Sequence, residues 1–178
     1  GTIGGRAGDN LTPEDIVTST AAFGQWIIQK TGIRKVVVGR DGRISGPIAS
    51  ALVVNTLQSL GISVVDLGLS TTPTVEIAVP LENAGGGIIL TASHNPKEWN
   101  ALKLLNHKGE FISAADGAEV LELAANGAIE YATVDKLGDY RQDDTYIRKH
   151  IDQILGLDLV DIESVRAKNF RVIVDAVN

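Results

Sequence analysis

Ser93 has the strongest claim to chemistry in this chain. It stands in Thr91-Ala92-Ser93-His94-Asn95-Pro96, directly after the apolar run Gly87-Ile88-Ile89-Leu90, and both Asn100 and Lys103 follow within ten residues. The apolar run behind Gly85, Gly86 and Gly87 predicts a strand buried on both faces, and the turn formers after it stop that strand. Ligands of α/β sheets bind beyond the carboxyl ends of strands. A serine on a tight turn there is a candidate nucleophile or phosphate carrier, with Asn100 as a polar anchor and Lys103 as a nearby cation. A serine hydrolase is disfavoured, because no GxSxG elbow is present and adjacent side chains on an extended segment point apart, so His94 is not automatically the base for Ser93. Taken alone, the same residues also describe a strand followed by a capped turn.

The elements that must position this loop can be read on both sides of it. Thr12-Pro13-Glu14-Asp15 is a helix start, with a capping threonine, proline in the first turn and two carboxylates against the helix dipole. That helix is expected to run to Lys30 and end at Gly32, and Gly1 to Asn10, rich in glycine, is expected to be a loop. Strands are predicted at 35–39, 62–67, 85–90 and 100–106, and helices at 48–60 (opened by Pro47, closed by Gly61) and from Pro73 to Glu82. His107-Lys108-Gly109 reads as a turn, Ser113 caps a helix to Ala125, 126–138 reads as loop with a short strand, and 143–155 and 157–168 read as helical. This alternation predicts an α/β fold, a three-layer α/β/α domain with a mixed, mostly parallel sheet. Three strands then empty into polar loops on one edge.

Composition narrows the class of function. Of the 178 residues 44% are hydrophobic and 21% charged, which suits a packed core. No cysteine is present, so disulfides and thiolate metal sites are excluded, and a cytoplasmic protein is expected. No apolar stretch of about 18 residues suggests a membrane span, and the absence of methionine implies a start upstream of Gly1. Net charge is −6, but residues 1–109 carry +1 and 110–178 carry −7. The half holding Ser93 can therefore accept an anion through Arg40, Arg43, Lys97 or Lys103. No basic stripe with interleaved aromatics exists, so no nucleic-acid partner is expected; small anionic metabolites fit better.

Thr91 to Pro96 resembles the phosphoserine loop of the α-D-phosphohexomutase family, which includes phosphoglucomutase, phosphomannomutase and phosphoglucosamine mutase. Val38-Gly39-Arg40-Asp41-Gly42-Arg43-Ile44-Ser45 is similar to that family's first strand-loop, Thr72-Pro73 to its second, and Asn100-Ala101-Leu102-Lys103 to the Asn-Gly-x-Lys segment after the serine loop. The resemblance implies a phosphoserine isomerase that interconverts hexose 1- and 6-phosphates through a bound bisphosphate, with a hexose bisphosphate as activator. It implies Ser93 as phosphoryl carrier, Lys103 as general acid/base, and His94, Asn95 and Arg43 as phosphate or substrate contacts. Asn95 could instead hold the turn, and Arg43 could merely pair with Asp41. The resemblance also implies Mg2+ on a phosphoserine oxygen, its other ligands lying in a second domain. Residues 1–155 are then the first domain, and 156–178 a linker plus the second domain's opening strand, Phe170 to Ala176.

Two departures stand out. The family's Ser/Thr-Gly-x-Arg-Gly segment ahead of the first helix is expected to be cut off, with Arg6 no substitute for its arginine. Ala101 replaces the family's glycine. The sugar stays open among glucosamine, glucose and mannose phosphates. A non-catalytic sugar-phosphate binding or scaffold domain of the same fold is the rival reading.

Overall fold

The structure is a computed structural model and describes residues 1–175. Four apolar runs build the centre of its sheet: β2 (Lys35–Arg40), β3 (Ser63–Leu69), β4 (Gly86–Leu90) and β5 (Trp99–Leu105), with β1 (Thr2–Arg6) and β6 (Tyr140–Gln142) at the edges. The order is β1-β5-β4-β2-β3-β6. β4, β2, β3 and β6 run parallel, whereas β5 is antiparallel to β4 and β1 antiparallel to β5. The mixed sheet is thus mostly parallel.

Helices α1 (Pro13–Thr31), α2 (Gly46–Ser59) and α4 (Ala114–Asn126) cover one face, and α3 (Thr72–Leu81) and α5 (Tyr146–Leu155) the other; α6 (Ile162–Ala167) follows. On the first face Phe23, Ile27, Leu57 and Val120 pack on Val36, Val38, Ile88 and Leu90. On the second, Val75, Val79 and Tyr146 pack on Val37, Val65 and Ile89. Consecutive residues of one strand feed opposite cores, which is why the central strands are apolar without alternation.

Local chemistry sets the helix ends. Thr12 and Asp15 cap each other's amides at the start of α1, Ser113 and Asp116 do the same for α4, and Gly32 ends α1 at φ 69°. On the α3 face, a polar clasp holds α5. The Glu82 carboxylate takes the Tyr146 hydroxyl, an Arg141 N–H at 2.8 Å and an ion pair with Lys35 at 3.6 Å. Burial works to raise the Glu82 carboxyl, but the Tyr146 and Arg141 donors outweigh it and hold it below its usual range.

Several expectations are corrected. Residues 2–6, expected as loop, form β1, because pairing with β5 supplies the hydrogen bonds that a glycine-rich segment cannot advertise by side-chain pattern. Within 126–138 the ordered piece is a 3-10 turn at Val134–Lys136, and the short strand falls just beyond, as β6 on β3. His150 is half-buried, and its Nδ1 lies 2.9 Å from the Thr74 hydroxyl, which ties α5 to α3. Phe170 to Asp175 shows no strand and is exposed, whereas Ala176, where that expected strand ends, lies outside the described residues. A strand forms only against a partner.

Candidate active site

β4 ends at Leu90, and its continuation, 91–98, is a loop on the same sheet edge as the loops after β2 and β3. Backbone bonds tie the three together: the Asp41 amide donates to the Leu90 carbonyl at 3.0 Å and the Ser70 amide to Arg40 at 2.8 Å. β1 runs antiparallel to β5, so its carboxyl end, Arg6, sits on this edge too, opposite Trp99.

Ser93 is exposed and has φ 53°, a left-handed conformation that L-residues rarely adopt. Its amide donates to the Thr91 hydroxyl at 3.1 Å, and the Asn95 amide donates to the Ala92 carbonyl at 3.0 Å. The turn is therefore held by Thr91 and the main chain rather than by the Asn95 side chain. His94 and Asn95 are exposed beside the serine.

Arg43 reaches under this loop. Its Nη2 donates to the carbonyls of Ser93 and Asn95 at 2.8 Å each, its Nη1 to Pro96 at 2.8 Å and Trp99 at 3.0 Å, and its Nε to Asp41 at 3.2 Å. A guanidinium has five N–H donors, and all are engaged. With its side chain 11% exposed and no donor left over, Arg43 does not fit the expected part of a direct phosphate ligand. Asn100 acts similarly from β5: buried, it donates to the Ser45 hydroxyl at 2.9 Å and joins the loop after β2 to the strand after the serine.

Lys103 lies in mid-strand, paired with Thr2 on one side and Ile89 on the other. Ala101 accepts the Thr91 amide at the mouth of the loop. Lys103 is therefore two residues, about 7 Å, further back, a distance that a lysine side chain nearly spans. It is half-buried, and its side chain has no hydrogen bond or ion pair among the described residues. Its neighbour Ala101 is accommodated by Gly4 across the β1–β5 pair, where a Cβ on Gly4 would meet the Ala101 methyl at 2.6 Å. The methyl added at position 101 is thus balanced by its absence at position 4.

A family model for phosphoglucomutase/phosphomannomutase, alpha/beta/alpha domain I, matches residues 1–129. The chain belongs to the phosphoglucomutase/phosphomannomutase family. It is 35% identical over 176 residues to a "Probable phosphoglucosamine mutase" of Methanopyrus kandleri, covering 99% of this chain and 37% of that protein. A "Phosphoglucomutase/phosphomannomutase" of Thermococcus kodakarensis is 35% identical over 182 residues, covering 100% of this chain and 39% of the relative. The crystal structure of a phosphoglucomutase/phosphomannomutase family protein from Burkholderia thailandensis superposes with TM-score 0.75 at 28% identity, over 87% of this chain and 34% of that one. The chain thus spans less than two fifths of these relatives and corresponds to the family's first domain.

Arg6, set aside in the sequence as no substitute for the family's arginine, lies at the carboxyl end of β1 on this edge. Gly4-Gly5-Arg6 keeps the Gly-x-Arg core of the segment expected to be missing, with Ile3 and Ala7 in its flanking positions. The structure puts the Arg6 guanidinium 6.0 Å from the centre of the Trp99 ring, at the rim of the serine loop. Among the described residues no group of three or more His, Cys, Asp or Glu is placed to hold a metal ion, and no helix is long and apolar enough to cross a membrane.

Proposed function

We propose that this chain is the phosphoryl-carrying domain of a cytoplasmic phosphohexomutase acting on a hexose or hexosamine phosphate. The observation that carries this reading is Ser93, exposed at φ 53° on a loop braced from below, within the first domain of a mutase family. Phosphoryl transfer asks for positioning and charge stabilisation more than covalent work. A phosphorylated Ser93 brings a charge of roughly −1.5 to −2. The free hydroxyl of the sugar phosphate attacks that phosphorus and gives its proton to Lys103, the Ser93 Oγ–P bond breaks, and Lys103 returns a proton to the departing Ser93 oxygen. After the bound bisphosphate reorients, its other phosphoryl group returns to Ser93. Lys103 suits the part because no carboxylate among the described residues pairs with it.

Magnesium would offset the phosphoserine charge, but among the described residues no group of three or more His, Cys, Asp or Glu forms a site for it, and no step here depends on it. His94 and Asn95 are the exposed neighbours that could touch the sugar phosphate. Names of the relatives include both phosphoglucosamine mutase and phosphoglucomutase/phosphomannomutase, so hexosamine and hexose remain alternatives of one chemistry.

The test is intact-protein mass spectrometry of the full-length protein after incubation with a hexose bisphosphate. One added phosphate, absent from Ser93→Ala, is expected. No uptake, or uptake that survives Ser93→Ala, would overturn the reading.

A further inference from the structure

Four carbonyl oxygens, those of Ser93, Asn95 and Pro96 in the serine loop and of Trp99 at the start of β5, converge on the Arg43 guanidinium. Asp41 fixes that guanidinium from the other side, accepting both the Arg43 Nε–H and the Arg43 amide, the latter at 3.0 Å. In a trans peptide the N–H points opposite to its own C=O. With the carbonyls of Ser93 and Pro96 turned onto Arg43, the amides of His94 and Lys97 point away from it. Both residues are exposed, and neither amide has an acceptor among the described residues. A loop left to itself would present carbonyl and amide ends at random to the solvent. Here one cation sorts them.

We infer that Arg43 is a positioning residue that orients the peptide dipoles of the serine loop, so that its amide ends face a phosphate dianion and its carbonyl ends are withdrawn. Arg43 touches no phosphate; it acts through the backbone of 93–99. Four carbonyls facing the phosphate would repel it, whereas oriented amides stabilise an anion without reorganising during the reaction. The same contacts hold Ser93 at positive φ, because its carbonyl is one of the four. Lysine cannot replace this group: an ammonium is a point charge with three donors and no planar fork to span four carbonyls and a carboxylate.

The inference rests on Ser93 as the phosphoryl carrier, and two measurements keep the failure of each distinct. In the full-length protein, Arg43→Lys is expected to speed amide hydrogen exchange in 93–99 while leaving the central strands unchanged. It is also expected to slow Ser93 phosphorylation by a hexose bisphosphate by about 100-fold, the cost of a small misplacement of a reacting group. Millimolar guanidinium is expected to restore part of that rate to Arg43→Ala. Phosphorylation of Arg43→Lys at the unsubstituted rate would overturn the inference, as would faster exchange spread through the whole sheet, which would make Arg43 only a pillar of the fold. If the unsubstituted protein takes up no phosphate, the carrier reading falls, while the exchange measurement still decides whether Arg43 orders the loop.

Discussion

The Thr91 hydroxyl accepts the Ser93 amide at 3.1 Å, two residues along the chain. Thr91 is itself buried, at 8% exposure, so a buried residue at the strand exit also shapes the turn that lifts the serine out. Thr91→Val keeps the volume and removes the acceptor. It is expected to cost about 1 kcal/mol in stability and to slow Ser93 phosphorylation, measured by thermal unfolding and by mass spectrometry of the phosphoenzyme.

The left-handed backbone of Ser93 gives a second test. Ser93→Ala and Ser93→Gly both remove the hydroxyl, but only glycine adopts φ 53° without steric cost. Ser93→Gly is expected to be more stable than Ser93→Ala by roughly 1 kcal/mol, with both proteins unable to take up phosphate. Equal melting temperatures would mean that the strain lies elsewhere.

Lys103 is expected to serve the transfer step rather than the fold, being half-buried and unpaired among the described residues. Lys103→Met keeps the aliphatic stem. In the full-length protein its turnover is expected to fall by roughly 100- to 10,000-fold, the range for loss of a general acid/base, with a melting temperature close to that of the parent. Turnover within a few-fold of the parent would remove Lys103 from the chemistry.

Gly4 and Ala101 are expected to be coupled. A methyl added at Gly4 would lie 2.6 Å from the Ala101 Cβ, which forces the edge strand outward. Gly4→Ala is expected to destabilise by about 1–3 kcal/mol. Adding Ala101→Gly is expected to recover most of that loss, the signature of a direct pair in a double-mutant cycle. Additive effects would contradict the β1–β5 register.

Acid stability is expected to depend on Asp143. The Thr145 hydroxyl and amide, with Arg141 and Lys149, stabilise its ionised carboxyl and lower its pKa from 3.8 to about 2. In the unfolded chain the carboxyl takes up a proton near its ordinary value. Its contribution is therefore complete above about pH 4 and drains away as pH falls towards 2. A stability profile of Asp143→Asn is expected to be flatter over that window, and an unchanged acid slope would assign the loss to other carboxylates.

Much of this protein was fixed locally. Thr12, Asp15, Ser113 and Asp116 cap helices within one turn of themselves, Gly32 and Gly61 take positive φ where a helix stops, and the β-branched runs become the buried strands. Ser93 and Lys103 could be picked out because strand-to-turn transitions and residue spacing are properties of neighbouring residues. The edge strand β1 was hidden, since Gly4 and Gly5 give no alternating pattern and gain their order only from Ala101 and Asn100 across the sheet. The acidic-to-basic layout around Glu82 was equally silent, because Tyr146 and Arg141 lie about sixty residues away in sequence.

The clearest division falls at Arg43. Sequence alone determined that an arginine follows the first strand and that a serine loop follows the third. Whether that arginine meets phosphate or backbone was decided only when the sheet order placed β2 beside β4, fifty residues apart in sequence at Arg43 and Ser93. Parallel pairing brought the two loop edges within hydrogen-bonding reach, and an anion and a ring of carbonyls are both acceptors that a guanidinium can satisfy. Local sequence supplies the donor; only the tertiary contact selects the acceptor.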